Sequence, residues 1–137
     1  MKQELLRIGT TYIPVTDLEK STEWYNEKLG AEVNYKDNKK SILELANQSF
    51  FLVKAKAGQI LNFTDIDGNE HFPFTFEVDG EDKLVKLHNE LMEKGVRVGE
   101  IEDRGHQGRN FVFYDPDGNK FDVWSVLSKR FKDYFGL

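Results

Sequence analysis

The chain repeats itself. Val15 precedes a helical stretch over Asp17 to Leu29 that ends in Gly30-Ala31-Glu32-Val33, and Val78 precedes one from about Glu81 to Lys94 that ends in Gly95-Val96-Arg97-Val98. The two glycines are 65 positions apart, as are Val33 and Val98, while Val15 and Val78 are 63 apart, a two-residue difference in length. A period this long signals duplication of a whole supersecondary unit rather than a short-repeat solenoid. Each half must then bury its own apolar face.

The order of elements is the same in both halves. Ile8 to Val15 reads as a strand, because Thr11, Ile13 and Val15 alternate with Thr10, Tyr12 and Pro14. Thr16 or Asp17 can cap the helix that follows, with Glu19 placed to complete a capping box. Leu18, Thr22, Tyr25 and Leu29 line one helical face, and Gly30 suits a left-handed helix end. Three strands follow, near 32–36, 41–45 and 49–54, with turns at Asp37-Asn38 and Asn47-Gln48. In the second half a strand over Phe72 to Val78 puts Phe74, Phe76 and Val78 on one face. Leu84, Leu87, Leu91 and Met92 form the helix stripe, and strands near 96–100, 111–114 and 120–125 complete the set. The reading is βαβββ twice, an α+β fold with helices on one sheet face. Residues 127 to 135 add a terminal helix whose Leu127, Phe131, Tyr134 and Phe135 make an apolar edge, expected to pack on its own sheet.

One turn stands out. Asp115-Pro116-Asp117-Gly118 combines a fixed φ, a self-capping carboxylate and a glycine free to take positive φ. It joins Val112-Phe113-Tyr114 to Phe121-Asp122-Val123-Trp124 as a hairpin. Alternation aims Asp122 away from the apolar layer, so its role bears directly on function.

Composition excludes several classes. A formal charge of −5 argues against sequence-independent nucleic-acid binding, and scattered Lys and Arg show no patch for an anionic membrane. No apolar run approaches the roughly 20 residues that span a bilayer, and the N-terminus lacks an export signal. The absence of cysteine removes disulfides, thiolate nucleophiles and Cys-based zinc sites, and fits a reducing, cytoplasmic setting. The serines lack a glycine-flanked elbow, and no glycine-rich phosphate loop is present.

Taken together, the two βαβββ units, the Val15-Thr16-Asp17-Leu18-Glu19-Lys20-Ser21 opening, Trp24-Tyr25 in the first helix and the Asp115-Pro116-Asp117-Gly118-Asn119 turn resemble the vicinal-oxygen-chelate superfamily. That group includes glyoxalase I, bleomycin-resistance proteins, extradiol dioxygenases and fosfomycin-resistance enzymes. The resemblance implies a single domain over residues 1–126 (module one about 7–55, a linker over 56–70, module two about 71–126) followed by the helical tail at 127–137. It also implies a curved mixed sheet around a cleft, and a homodimer. Its enzymes hold one divalent metal through four strand residues, His or Gln and Glu. Those positions fall here on Thr10, about Leu52, Pro73 and Asp122, of which only Asp122 can serve. No metal or other cofactor is therefore expected, although His71, Glu77 and Asp122 could in principle form a shifted set.

What remains is a candidate small-molecule site. Strand parity groups Tyr12, Phe50 and Trp124 with Thr10, Leu52, Thr75 and Asp122, an aromatic pocket with a few polar anchors. The alternative is a collapsed cleft or dimer interface filled by the same residues. His88, beside the second helix's stripe, reads as structural. The segment Glu102-Asp103-Arg104-Gly105-His106-Gln107-Gly108-Arg109 reads as a solvated loop, or else as a flap bringing His106 or Arg109 to a ligand. The leading expectation is a metal-free member of this superfamily that binds a small organic molecule, with a weak electrostatic preference for a cationic one. Asp122 would anchor the ligand, and Trp124 and Tyr12 would supply stacking area. The alternative is an enzyme (a lyase, isomerase or dioxygenase) with an atypical metal set or with Asp122 or His71 as general base.

Overall fold

The first half folds around the stripe its helix supplies. In the computed structural model, which describes residues 2–137, the chain divides into two compact units, one running to Ile60 and the other from Leu61. In the first, β1 (Thr10–Val15) leads to α1 (Leu18–Leu29), then to β2 (Glu32–Lys36), β3 (Lys40–Leu45) and β4 (Gln48–Lys54). Asp17 caps α1 by accepting from the Lys20 amide, and Gly30 ends it at φ 72°, where a side chain would be strained. The sheet order is β1-β4-β3-β2, with β1 parallel to β4 and the other pairs antiparallel. Tyr25, Ile13, Val15, Leu43, Phe50 and Leu52 form the core beneath the helix. Two buried hydroxyls sit among them without penalty. The Thr22 hydroxyl is 2.6 Å from the Leu18 carbonyl, to which it donates, and 2.7 Å from Ser41 Oγ.

Register in β4 departs from expectation. The β3–β4 turn is the pair Ala46-Asn47, both at positive φ, so that Leu45 pairs with Gln48. Ile13 then lies opposite Leu52 and Tyr12 opposite Phe51. Leu52 and Phe50 thus share the buried face of Ile13 and Val15, not the face of Tyr12 and Thr10. A one-residue displacement of a strand reverses all of its faces.

The second unit repeats the plan with shorter strands. A two-stranded hairpin, β5 (Phe63–Thr64) with β6 (Glu70–His71), comes first. Then come β7 (Thr75–Glu77), α2 (Glu81–Glu93), β8 (Arg97–Val98), β9 (Asn110–Tyr114), β10 (Lys120–Trp124) and α3 (Lys129–Phe135). The sheet order is β7-β10-β9-β8, with β7 parallel to β10. The first strand is shorter than the run from Phe72 to Val78, because Pro73 has no amide to give the ladder. Phe111, Phe113, Phe121 and Val123 are buried with Leu84 and Leu91 of α2, and Phe74 and Phe76 pack at a tilt against Phe121. His88 packs edge-on against Phe111, its Nε2 2.8 Å from the Gly99 carbonyl, a structural placement. The terminal helix differs from expectation. None of its residues is buried, Tyr134 is 83% exposed, and its aromatics pack against one another.

The Asp115 turn organises this unit. Asp115 Oδ1 accepts from the amides of Asp117 and Asn119, and its Oδ2 accepts from Asn119 Nδ2. Asn119 is fully buried, and its Oδ1 accepts from the Leu61 amide at 2.8 Å. Asn62 completes the join, donating to the Gly118 carbonyl and accepting from the Lys120 amide. Residues 61 and 62 are therefore pinned to the β9–β10 hairpin. Replacing Asn119 with Ala strands the Leu61 amide and part of Asp115, so urea unfolding should show a loss of about 2 kcal/mol. An unchanged midpoint would show that the turn holds without it.

Candidate functional site

In the second unit, alternation along β10 sends Phe121 and Val123 into the core and leaves Asp122 and Trp124 on the opposite face. Thr75 lies beside Asp122 on β7, and Val112 lies beside it on β9. Asp122 as a whole residue is nonetheless only 1% exposed. Its Oδ2 accepts from Thr75 Oγ1 and from Asn110 Nδ2, both at 2.9 Å, and its Oδ1 accepts from Arg104 Nη2 at 3.0 Å. Three donors, one of them carrying a full positive charge, therefore meet a single carboxylate, the arrangement a buried charge requires.

Arg104 reaches Asp122 because residues 99 to 109 lie across this face. Gly99 is held close to β9, where an added Cβ would meet Val112 Cγ2 at 2.9 Å. Glu102 and Asn110 exchange backbone bonds of 2.7 and 3.0 Å. Arg104 then spans two carboxylates, since its Nε also donates to Glu102 Oε2 at 2.8 Å, and its guanidinium lies 5.8 Å from the Phe72 ring centre. Burial works to lower the Arg104 pKa, but the bonds and charges of Glu102 and Asp122 outweigh it and raise the pKa on balance. Arg104 is a permanent cation here. Further along, Trp124 Nε1 donates to the Gln107 carbonyl at 2.8 Å and His106 packs edge-on against the Trp124 ring. The Arg109 amide donates to Ser125 Oγ, and its side chain pairs with Glu81 at 3.4 Å. The segment is a docked strap rather than a free solvated loop, although most of its residues keep exposed surfaces.

The expected residues divide accordingly. Thr75, Asp122, Trp124 and His106 are brought together in the second unit. Thr10 and Tyr12 lie on the outer face of β1 in the first, where Tyr12 is 61% exposed and packs on Phe51 at 5.2 Å. Leu52, fully buried in the first unit's core, is not a site residue by position, and the same register buries Phe50. Arg104 and Asn110 escaped the sequence reading. Asn110 had a signal, a polar residue of Asp122's parity opening the apolar run Phe111-Val112-Phe113. Arg104 had none, since no periodicity aims a loop residue. A separate cavity of about 540 Å³ opens at the start of α1, lined by Asp17, Glu19, Lys36, Asp37 and Lys54 among others. Two of its three carboxylates already have partners. Asp17 caps the helix, and Asp37 is held well below the usual carboxylate range by the Lys39 amide and then by the Tyr35 hydroxyl and the Lys40 amide.

A divalent metal does not suit the donor set around Asp122. Both oxygens of Asp122 are engaged by donors, and a guanidinium supplies the compensating charge. Register shows that the β7 residue opposite Asp122 is Thr75 rather than Pro73, and that the corresponding pair in the first unit is Tyr12 and Phe51. None of these is a strong ligand. In the alternative set, Glu77 gives both oxygens to Ser128 and the His71 Nδ1 lies against the Phe72 backbone. Among the described residues no group of three or more His, Cys, Asp or Glu side chains could hold an ion.

The strap is docked tightly at Gly108. Its φ is 76°, and an added Cβ would meet Ser125 Oγ and Val126 Cγ2 at 2.6 Å and Trp124 Nε1 at 2.9 Å. Gly108→Ala should therefore lift this end of the strap and expose Trp124. In a Trp24→Phe background, the expected result is a red-shifted Trp124 emission with stronger quenching by acrylamide.

Comparison with known proteins agrees with this architecture. The model of the Glyoxalase/Bleomycin resistance protein/Dioxygenase superfamily matches residues 7–123. A trivalent organoarsenical cleaving enzyme of Bacillus sp. (strain MD1) is 33% identical over 117 residues, 80% of this chain and 67% of that protein. The metallothiol transferase FosB of Lysinibacillus sphaericus (strain C3-41) is 26% identical over 128 residues, 88% of this chain and 83% of that one. Among solved structures, the fosfomycin resistance protein FosX of Listeria monocytogenes superposes with a TM-score of 0.72 at 18% identity, covering 92% of this chain and 97% of that one. The lactoylglutathione lyase of Agrobacterium tumefaciens gives 0.69 at 15% identity, covering 89% and 95%. With its doubled βαβββ units and a family match over most of its length, this chain belongs to the Glyoxalase/Bleomycin resistance protein/Dioxygenase superfamily.

Proposed function

We propose that this chain binds a small organic molecule without a catalytic metal, on the face of the second unit formed by Thr75, Asp122 and Trp124. The observation that carries this reading is the occupancy of Asp122. The one acidic residue at a ligand position of the superfamily is spent on Arg104, Asn110 and Thr75. What the face offers a ligand is then an aromatic surface at Trp124 and the exposed residues Thr75 and His106 beside it. The formal charge of −5 favours a neutral or cationic ligand over an anionic one at long range. No helix is long and apolar enough to cross a membrane, and we place the protein in the cytoplasm as a homodimer, with Thr10 and Tyr12 available for contacts in the first unit.

A second reading, an enzyme, is favoured by one specific observation. Both curated relatives are named for reactions, cleavage of trivalent organoarsenicals and metallothiol transfer. In a metal-free version Asp122 or His71 would act as general base. Asp122 could do so only after losing Arg104, which makes binding the better-supported reading.

The two readings separate in one experiment. A thermal-shift screen of small organic molecules is run in the presence of a metal chelator, and hits are titrated against Trp124→Ala. The expected outcome is a ligand that raises the melting temperature in chelator and loses at least about tenfold in affinity when the indole is removed. Hits that appear only after a divalent metal is added back would overturn the metal-free reading.

A further inference from the structure

The mismatch between the superfamily's metal position and this chain's residues has a physical content of its own. Asp122 sits at the strand position where the resemblance places a metal-binding carboxylate, yet it is buried and fully hydrogen bonded. Around it lie further oxygens. Glu102 shares Arg104 with it, Thr75 Oγ1 is 2.9 Å away, and the side-chain Oδ1 of Asn110 is buried with no hydrogen-bond partner among the described residues. Asn110 as a whole is only 3% exposed, and its orientation is set by Asp122, which needs the amide nitrogen. Such an oxygen-rich centre requires a positive charge, and Arg104 supplies it.

We propose that Arg104 is this protein's own resident cation: its guanidinium stands in for a bound ion at Asp122 and makes the centre charge-complete without a metal. Three observations bear on this. The guanidinium contacts Asp122 at 3.0 Å and Glu102 at 2.8 Å, so it bridges two carboxylates much as an ion would. Its side chain is only 29% exposed, while that of Asp122 is 2% exposed, so the pair is shielded from competing solvent ions. And Arg104 comes from the strap, not from a strand, so the charge that neutralises the centre also fastens residues 99 to 109 across the face. A guanidinium is suited to this because it cannot be deprotonated at accessible pH and presents its donors in a fixed fork. This inference goes beyond the binding reading and holds whether or not a ligand is found.

The experiment is chemical rescue. Arg104→Ala leaves a guanidinium-sized gap beside a buried carboxylate. Its melting temperature should fall by roughly 5–10 °C. Millimolar guanidinium ion, far below denaturing concentrations, should restore at least about half of that loss, whereas sodium chloride of equal ionic strength should not. Arg104→Ala/Asp122→Asn should show no such rescue, because nothing remains for the cation to neutralise. If Arg104→Ala fails to fold, the double variant decides. Recovery of folding on removal of the second charge supports charge compensation, and continued failure overturns it. The proposal is also overturned if Arg104→Ala melts like the parent, if rescue persists without Asp122, or if the unaltered protein takes up one equivalent of Mn²⁺ while Arg104→Ala takes up none.

Discussion

A carboxylate cannot remain ionised in a protein interior unless something answers its charge, and the second unit is arranged around that demand. Asp122 is placed inside by the same alternation that buries Phe121 and Val123 on the other face of β10. Thr75 and Asn110 come from the two flanking strands, so the ladder itself supplies two of the donors. The third comes from Arg104, eighteen residues away in sequence, and it is the one with a full charge. Once Arg104 must sit there, the path of residues 99 to 109 is largely decided. Glu102 bonds to Asn110 on one side, and the indole of Trp124 holds Gln107 on the other.

The two units show how one supersecondary plan yields different outer faces. Tyr12 and Phe51 in the first unit occupy the paired positions that Thr75 and Asp122 occupy in the second. The first face is therefore aromatic and open, while the second is polar and covered by a strap. The parallel β1–β4 and β7–β10 pairs follow one plan, but the connections beside them do not: residues 37–39 join β2 to β3, whereas residues 99–109 join β8 to β9 and form the strap. Charge, hydroxyl and indole converge on the second unit's face.

Most of the architecture could be read from residues with local signatures. Asp17, Gly30, Gly95 and the Asp115 turn each act within a few positions of themselves, and α1 buries Leu18, Thr22 and Tyr25 of its stripe, while α2 buries Leu84 and Leu91 but leaves Met92, expected in the same stripe, exposed. The failures occurred where the deciding interaction was not local. The faces of β4 depended on the β3–β4 turn being centred on Ala46-Asn47, a matter of one residue that reverses Leu52 and Phe51. The tail offered a helical apolar edge, but periodicity does not say whether a surface exists to receive it, and Tyr134 and Phe135 are left largely exposed. On this face, Thr75, Asp122 and Trp124 share the parity expected of them, while His106 stood out only as part of a glycine-flanked loop. Arg104 was not legible, because a loop carries no period and an ion pair between residues 104 and 122 leaves no trace in either neighbourhood.

A buried ion pair rarely adds net stability, because desolvating both charges offsets most of their attraction. The Arg104–Asp122 pair is then better understood by what it prevents. Without the guanidinium, the centre would hold a buried carboxylate at Asp122 and an orphaned amide oxygen at Asn110, with the exposed Glu102 carboxylate at its edge, an environment that invites any available cation. With it, the charge is supplied from within the chain and arrives attached to eleven residues of backbone, from 99 to 109. A metal ion would neutralise Asp122 and leave the face open; an arginine neutralises it and brings a cover along. The substitution of a side chain for an ion therefore couples two properties that a metal site keeps separate, the charge state of the centre and its access to solvent. Any ligand that reaches Asp122 must first move Arg104, whereas one that binds at Trp124 need only displace His106.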